Sequence, residues 1–262
     1  MEILLGFLIA TMIGLTGVGA GSMTTPLLIL FLGVSPATAV GTALTFGAIV
    51  KVISVPFYAA RRQVNVRIMA YLLAGGLPGV LAGSIFLKWL KGSEYSGFLY
   101  GLLGAVIVSI SLFHLWCLFW PRREAVHRDR PKLLLACALP IGAEVGFSSA
   151  GAGALGSLLL LSFTRLTAAE VVGTDLCFGL GLSAVGSLIQ VGQGNYDTVL
   201  LAKLVIGGIC GAIFGTLMAA RIAQRPLRIA LLSVLVLLGS QLATHGRNPS
   251  SAPRAVLQAW TR

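Results

Sequence analysis

Shifted by 132 residues, the chain aligns with itself on a skeleton of glycines. Gly14 falls on Gly146, Gly19 on Gly151, Ala20 on Ala152 and Gly21 on Gly153. The register runs on without a gap, Val40-Gly41-Thr42 on Val172-Gly173-Thr174, Leu44 on Leu176, Phe46 on Phe178 and Gly47 on Gly179. Residues 14–47 and 146–179 share 14 identities in 34 positions. Further along, Gly75, Gly76, Gly79 and Gly83 fall on Gly207, Gly208, Gly211 and Gly215. Apolar sequence matches itself by chance at Leu and Ala, but a shared glycine pattern marks duplication of a structural unit. The fold must be built from two similar halves.

Each half is almost entirely apolar. Runs fall at 2–32, 36–60, 67–90, 95–120, 133–163, 167–190, 198–220 and 227–244. Only 10% of the residues are charged, whereas a water-exposed surface needs about 25%, so the solvent for most of this chain is lipid. Six runs have the length of single spans of about 20 residues. The other two, 2–32 and 133–163, are longer and are interrupted by GLTGVGAGS at 14–22 and GFSSAGAGA at 146–154. Glycine costs a helix about 1 kcal/mol against Ala, so clusters of it should break the helix at both places. The expected domains are a first transmembrane repeat over 1–120, a basic linker over 121–132, a second repeat over 133–244 and a polar tail over 245–262. MEILLGFLIATMIG has no basic n-region and is expected to be mature structure rather than a cleaved signal.

The formal net charge is +11, with most of the 19 Lys and Arg between apolar runs or in the tail. That placement sets topology rather than binding nucleic acid. The loop 59–67 carries Arg61, Arg62 and Arg67, whereas its equivalent 191–198 has no Lys or Arg and contains Asp197. Equivalent loops of opposite charge character belong on opposite faces. The fold class expected is an all-α polytopic membrane protein made of two inverted repeats, each a glycine-broken re-entrant hairpin followed by three transmembrane helices. The basic stretches 59–67, 121–132 and 221–228 are then cytoplasmic. If each broken run instead spans fully, the repeats are parallel and 221–228, with its three arginines, lies outside.

Irregular backbone at membrane depth survives only where it is buried in protein or lines a polar cavity. The two breaks should meet, and the second arms, starting near Ser22 and Ala154, would point helix N-termini and free N–H groups inward, a setting suited to an anion. Gly19, Gly21, Gly151 and Gly153 are the expected backbone lining, with Ser22, Thr42 and Thr174 as hydroxyl donors. The first arms end there with carbonyls suited to a cation or proton donor. Gly75, Gly79 and Gly83, and likewise Gly207, Gly211 and Gly215, have the four-residue spacing of close helix packing. Ionisable residues inside apolar runs are costly and mark function. Lys51 would complement an anion's charge, or snorkel toward Arg61-Arg62. Glu144 and Asp175 have Met12 and Ala43 as equivalents; breaking the pseudo-symmetry suits proton or cation coupling. Lys203 is expected to snorkel, and Arg165 to anchor at the interface.

Cys117, Cys137, Cys177 and Cys210 lie in apolar runs without CxxC spacing, and His114, His127 and His245 are scattered. Neither a disulfide framework nor a metal site is expected. No HExxH, GxSxG or Walker A pattern occurs, so neither an enzyme nor a bound cofactor is expected. The expected partners are a small anionic substrate and the lipid bilayer, not nucleic acid; a homodimer is compatible with the sequence.

The stretch GVGAGSMTTPLLILFLGVSPATAVGTAL, echoed by GAGALGSLLLLSFTRLTAAEVVGTDL, resembles the sulfite exporter TauE/SafE family, also called the 4-toluene sulfonate uptake permeases. The resemblance runs to about residue 244. It implies a multi-pass inner-membrane transporter for sulfite, organosulfonates or related small compounds. It falls on Gly17, Gly19, Gly21, Pro26, Pro36, Gly41 and Thr42, and on Gly151, Gly153, Gly173 and Thr174. The second copy departs at Ser149, Leu158 and Arg165, where the first has Gly17, Pro26 and Gly33. The function expected from residues and resemblance together is secondary transport of a small anion by alternating access.

Overall fold

The computed structural model describes residues 1–16, 20–91, 96–119, 131–150, 153–219 and 224–245. Among these are ten α-helices and no strand. The first half holds α1 (Glu2–Thr16), α2 (Ala20–Leu32), α3 (Pro36–Ala60), α4 (Val66–Lys91) and α5 (Ser96–Phe119). The second holds α6 (Pro131–Ser148), α7 (Ala154–Phe163), α8 (Ala168–Gly192), α9 (Thr198–Met218) and α10 (Gln224–His245). Five of them, α3, α4, α5, α8 and α9, are long and apolar enough to cross a membrane. The chain is a multi-pass membrane protein.

The described helices are bounded by both glycine clusters. The first separates α1 from α2 and the second α6 from α7. At the second break, Ser149 and Gly153 have φ of 63° and 106°, which no helix can continue. Gly17, Gly19 and Gly151 lie outside the described residues. The long helices start on local caps. Ser35 precedes Pro36 at the head of α3. At α8, Thr167 and Glu170 form a reciprocal capping box. Asn65 Oδ1 accepts from Ile68 N at 3.1 Å, and its equivalent Asp197 Oδ1 accepts from Leu200 N at 3.0 Å.

The glycine ladders are helix contacts. A Cβ on Gly75, Gly79 or Gly83 of α4 would lie 2.1, 2.1 or 1.9 Å from the carbonyl oxygens of Leu135, Leu139 and Ala143 on α6. On α9, Gly207, Gly211 and Gly215 stand the same way, at 1.9, 2.2 and 2.3 Å, against Ile3, Phe7 and Thr11 of α1. Contact occurs backbone to backbone, as small-residue packing in membranes allows. Each interface is the other's image under the 132-residue shift with the halves exchanged. The aromatic core repeats this. Gly76 of α4 lies under the ring of Phe178 on α8, and Gly208 of α9 under the ring of Phe46 on α3; both rings are fully buried.

These contacts fix helix directions. Rising residue numbers pair with rising numbers between α1 and α9, and between α4 and α6, so both pairs are parallel. α3 runs parallel to α9, since Thr42 meets Asp197, Phe46 meets Gly208 and Ser54 meets Thr216. Thr174 meets Asn65 and Phe178 meets Gly76, so α8 runs parallel to α4. α3 and α8 run oppositely: the start of each lies at the loop that follows the other.

A close contact of this kind tolerates no side chain. Gly79→Ala should destabilise the protein by about 1–3 kcal/mol through forced separation of α4 and α6, and Gly211→Ala by a similar amount. Gly101, with nothing within 4 Å of its Cβ position, is the control: Ala there should be neutral or stabilising by about 0.5–1 kcal/mol. Thermal unfolding of the three variants in detergent checks this, and a Gly79→Ala melting curve equal to that of Gly101→Ala would refute it.

Candidate functional site

The two breaks meet. Gly21, in the first turn of α2, faces the second break so closely that a Cβ there would lie 1.9 Å from Ser149 O and 2.2 Å from Ser149 Oγ. One turn further along α2, Thr25 Oγ1 and Ser149 Oγ share a hydrogen bond of 2.6 Å. Ser149 takes the left-handed conformation at a position where the first half has Gly17. That backbone costs a non-glycine residue roughly 1–2 kcal/mol. Its hydroxyl, buried against Thr25, is what the substitution adds.

Hydroxyls surround this contact. Ser148 Oγ donates to Glu144 Oε1 within α6 and accepts from Ala150 N at 3.2 Å. The carbonyls near the ends of the first arms are both met by hydroxyl donors: Tyr58 donates to Gly14 O at 3.2 Å, and Ser84 to Gly146 O at 3.4 Å. Ser22 is buried. Because α2 is helical from Ala20, Ser22 sits inside its first turn rather than at its start, where the sequence placed it. α7 does start at Ala154, with Gly153 as its N-cap.

Two charged residues of the long helices are almost fully buried: Lys51 is 2% exposed and Asp175 1%. Lys51 does not snorkel. Its Nζ crosses from α3 to α8 and donates to Gly179 O at 3.1 Å and to Ser183 Oγ at 2.9 Å. Asp175 lies one turn before Gly179 on the same helix, within electrostatic reach of the ammonium. Its carboxylate turns to the first turn of α7. Oδ2 accepts from Ser157 Oγ at 2.6 Å, and Oδ1 lies 2.1 Å from where a Cβ on Gly156 would stand. Glu144 is half-buried and engaged by Ser148 of its own helix.

Thr42 and Thr174 are placed differently. Thr42 Oγ1 accepts from Asp197 N at 3.1 Å, and Thr174 Oγ1 from Asn65 N at 3.0 Å. Beside them, a Cβ on Gly41 would lie 1.7 Å from Asn195 O, and one on Gly173 2.1 Å from Gln63 O. Each Gly-Thr pair therefore latches a long helix to the other half's loop. Lys203 forms an ion pair with Glu2 at 2.7 Å, and Arg165 is exposed. Reasoning from sequence passed over Thr25, Ser148, Ser157 and Ser183, whose hydroxyls carry no pattern of their own. Ser149 showed only as a departure from glycine.

The centre thus combines one cation, two carboxylates, clustered hydroxyls and the N-terminus of α7. It can hold an oxyanion or pass a proton. No group of three or more His, Cys, Asp and Glu that could hold a metal ion occurs among the described residues. The sequence profile described as sulfite exporter TauE/SafE matches residues 2–242. The chain belongs to this family. It is 28% identical over 249 residues to the probable membrane transporter protein YjnA of Bacillus subtilis (strain 168), covering 92% of this chain and 98% of that one. It is also 28% identical over 230 residues to a probable membrane transporter protein of Xylella fastidiosa (strain 9a5c), covering 82% and 83% respectively. No solved structure matches the chain significantly.

Proposed function

We propose that this TauE/SafE-family protein is a secondary transporter. It moves a small anion (sulfite, an organosulfonate or a related sulfur compound) across the inner membrane by alternating access, with proton coupling at Glu144 or Asp175. The observation that carries this reading is the direct meeting of the two glycine clusters at Gly21 and Ser149, in a core that also buries Lys51. An anion would be held there by backbone around Gly19, Gly21, Gly151 and Gly153, by Ser22 and by Lys51. Thr42 and Thr174 would join it only after releasing the loops they now hold.

The helix directions support an inverted, re-entrant arrangement. α1, α9 and α3 run one way, so α2, between α1 and α3, must return; α7, between the parallel α6 and α8, must do the same. Equivalent helices α3 and α8 run oppositely, as a two-fold axis in the membrane plane requires. The ends of α3 and α9 and the starts of α4 and α6 then share one face. The basic stretches 59–67, 121–132 and 221–228 all adjoin that face in sequence, which fits a cytoplasmic assignment. The loop with Asp197 lies at the other end.

The test is uptake of radiolabelled sulfite, sulfate and a small alkanesulfonate into proteoliposomes, with and without an imposed pH gradient. Saturable, gradient-dependent uptake of one of them is expected. Uptake that rises linearly with concentration and ignores the gradient would favour a passive anion pore, and no uptake of any would remove the anion reading.

A further inference from the structure

Equivalent positions in the two breaks carry opposite chemistry. In the second half, the carboxylate of Asp175 rests on the first turn of α7, held by Ser157 and packed on Gly156. In the first half the equivalent of Asp175 is Ala43, and the equivalents of Gly156 and Ser157 are Thr24 and Thr25. Helix N-termini attract anions through their free N–H groups and dipole. In the second half that attraction is already answered by the protein's own anion, which also lies within electrostatic reach of Lys51.

We propose that Asp175 is a built-in competitor of the transported anion. Ionised, it occupies the first turn of α7 and neutralises Lys51. Protonated, it surrenders both to the substrate. The exchange conserves charge locally, because one negative group replaces another beside the same ammonium. Two buried anions beside one cation would be strongly disfavoured, so each anion enters together with one proton and the pair leaves together. This assigns Asp175, not Glu144, as the coupling group and makes the transporter an anion–proton symporter. The inference rests on the anion-transport reading above.

Of the helices packed on α8, α3 carries Lys51 and Tyr58, and α6 carries Lys132, Cys137 and Glu144, the last tied to Ser148. α7 has no ionisable residue, and the ionisable residues of α4, Arg67, Tyr71, Lys88 and Lys91, lie toward its two ends. On this proposal the pH response of anion binding at neutral pH comes from Asp175.

The experiment uses the purified full-length protein in proteoliposomes with whichever of [35S]sulfite, [35S]sulfate or a [35S]alkanesulfonate it transports. Gradient-driven uptake is compared with exchange against internal unlabelled anion at equal pH. Asp175→Asn keeps a partner for Ser157 but removes the charge. It should lose stimulation by an inward proton gradient, keep exchange, and show an apparent KM at neutral pH several-fold below wild type that no longer varies with pH. Ser157→Ala retains the carboxylate but removes the hydroxyl that holds it on α7, so its KM should also fall, with part of the pH dependence left. A purely structural role for Asp175 would raise KM instead. Wild-type gradient stimulation in Asp175→Asn overturns the proposal, and so does loss of exchange in a monodisperse Asp175→Asn protein. A raised KM in Ser157→Ala overturns it as well, even if Asp175→Asn cannot be purified. Absence of uptake and exchange in the wild type would instead bring down the underlying anion reading.

Discussion

Gly21→Ala should reduce transport on the order of 100-fold while leaving the protein able to insert and purify as a single species. The substitution adds one methyl group, 1.9 Å from a main-chain oxygen and 2.2 Å from a hydroxyl of Ser149. Main chain cannot rotate away as a flexible side-chain end can, so the two breaks must separate. Separation also stretches the Thr25–Ser149 hydrogen bond, now 2.6 Å. The direct energetic cost is that of modest overpacking, about 1–3 kcal/mol, and the α1–α9 and α4–α6 ladders that hold the halves together are untouched. A displacement of about 1 Å in groups that must converge on one ligand is enough for a loss of about 100-fold in a site that works by geometry. Initial rates of anion uptake, compared with Gly101→Ala at equal protein density, measure it. A rate above half that of the control would mean that the contact at Gly21 is incidental to function.

What the sequence disclosed, and what it withheld, follow from the symmetry. The 132-residue register identified the duplicated unit, both breaks and the two glycine ladders, because a contact between small residues leaves its mark in the residues themselves. It also implied that any contact between halves should recur with the halves exchanged. It did not say which elements meet. Gly41 and Thr42 look like lining for an anion until Asn195 and Asp197 arrive from the other half to fill their contacts. Lys51 reads equally as an anchor or as a functional cation, and only the opposed crossing of α3 and α8 brings it to Gly179 and Ser183. Ser183 is the repeat equivalent of Lys51 itself. α2 is already helical at Ala20, ahead of the start near Ser22 that the sequence suggested, because glycine and alanine give no cap signal, whereas Thr167 with Glu170 announces α8 plainly.

Lys51→Met should destabilise the protein and abolish transport, and only the first of these defects should be repaired by Asp175→Asn. Met preserves the length and apolar body of the lysine, so packing between α3 and α8 is largely kept. What disappears is the charge. Gly179 O and Ser183 Oγ lose a donor, and the buried Asp175 loses the attraction of the Lys51 ammonium. Removing one partner of a buried charge pair costs about 3–5 kcal/mol. Ser157 and the first turn of α7 still compensate Asp175 in part, which brings the expectation to about 2–3 kcal/mol and a fall in melting temperature of roughly 5–10 °C. Adding Asp175→Asn removes the stranded charge and should recover at least half of that fall. It cannot restore the cation, so uptake should stay at background in the double variant. Thermal unfolding in detergent and uptake into proteoliposomes, run on the same preparations, separate the two effects. Equal melting temperatures for wild type and Lys51→Met would show that Asp175 does not depend on Lys51. Transport by the double variant would show that the anion is held without it.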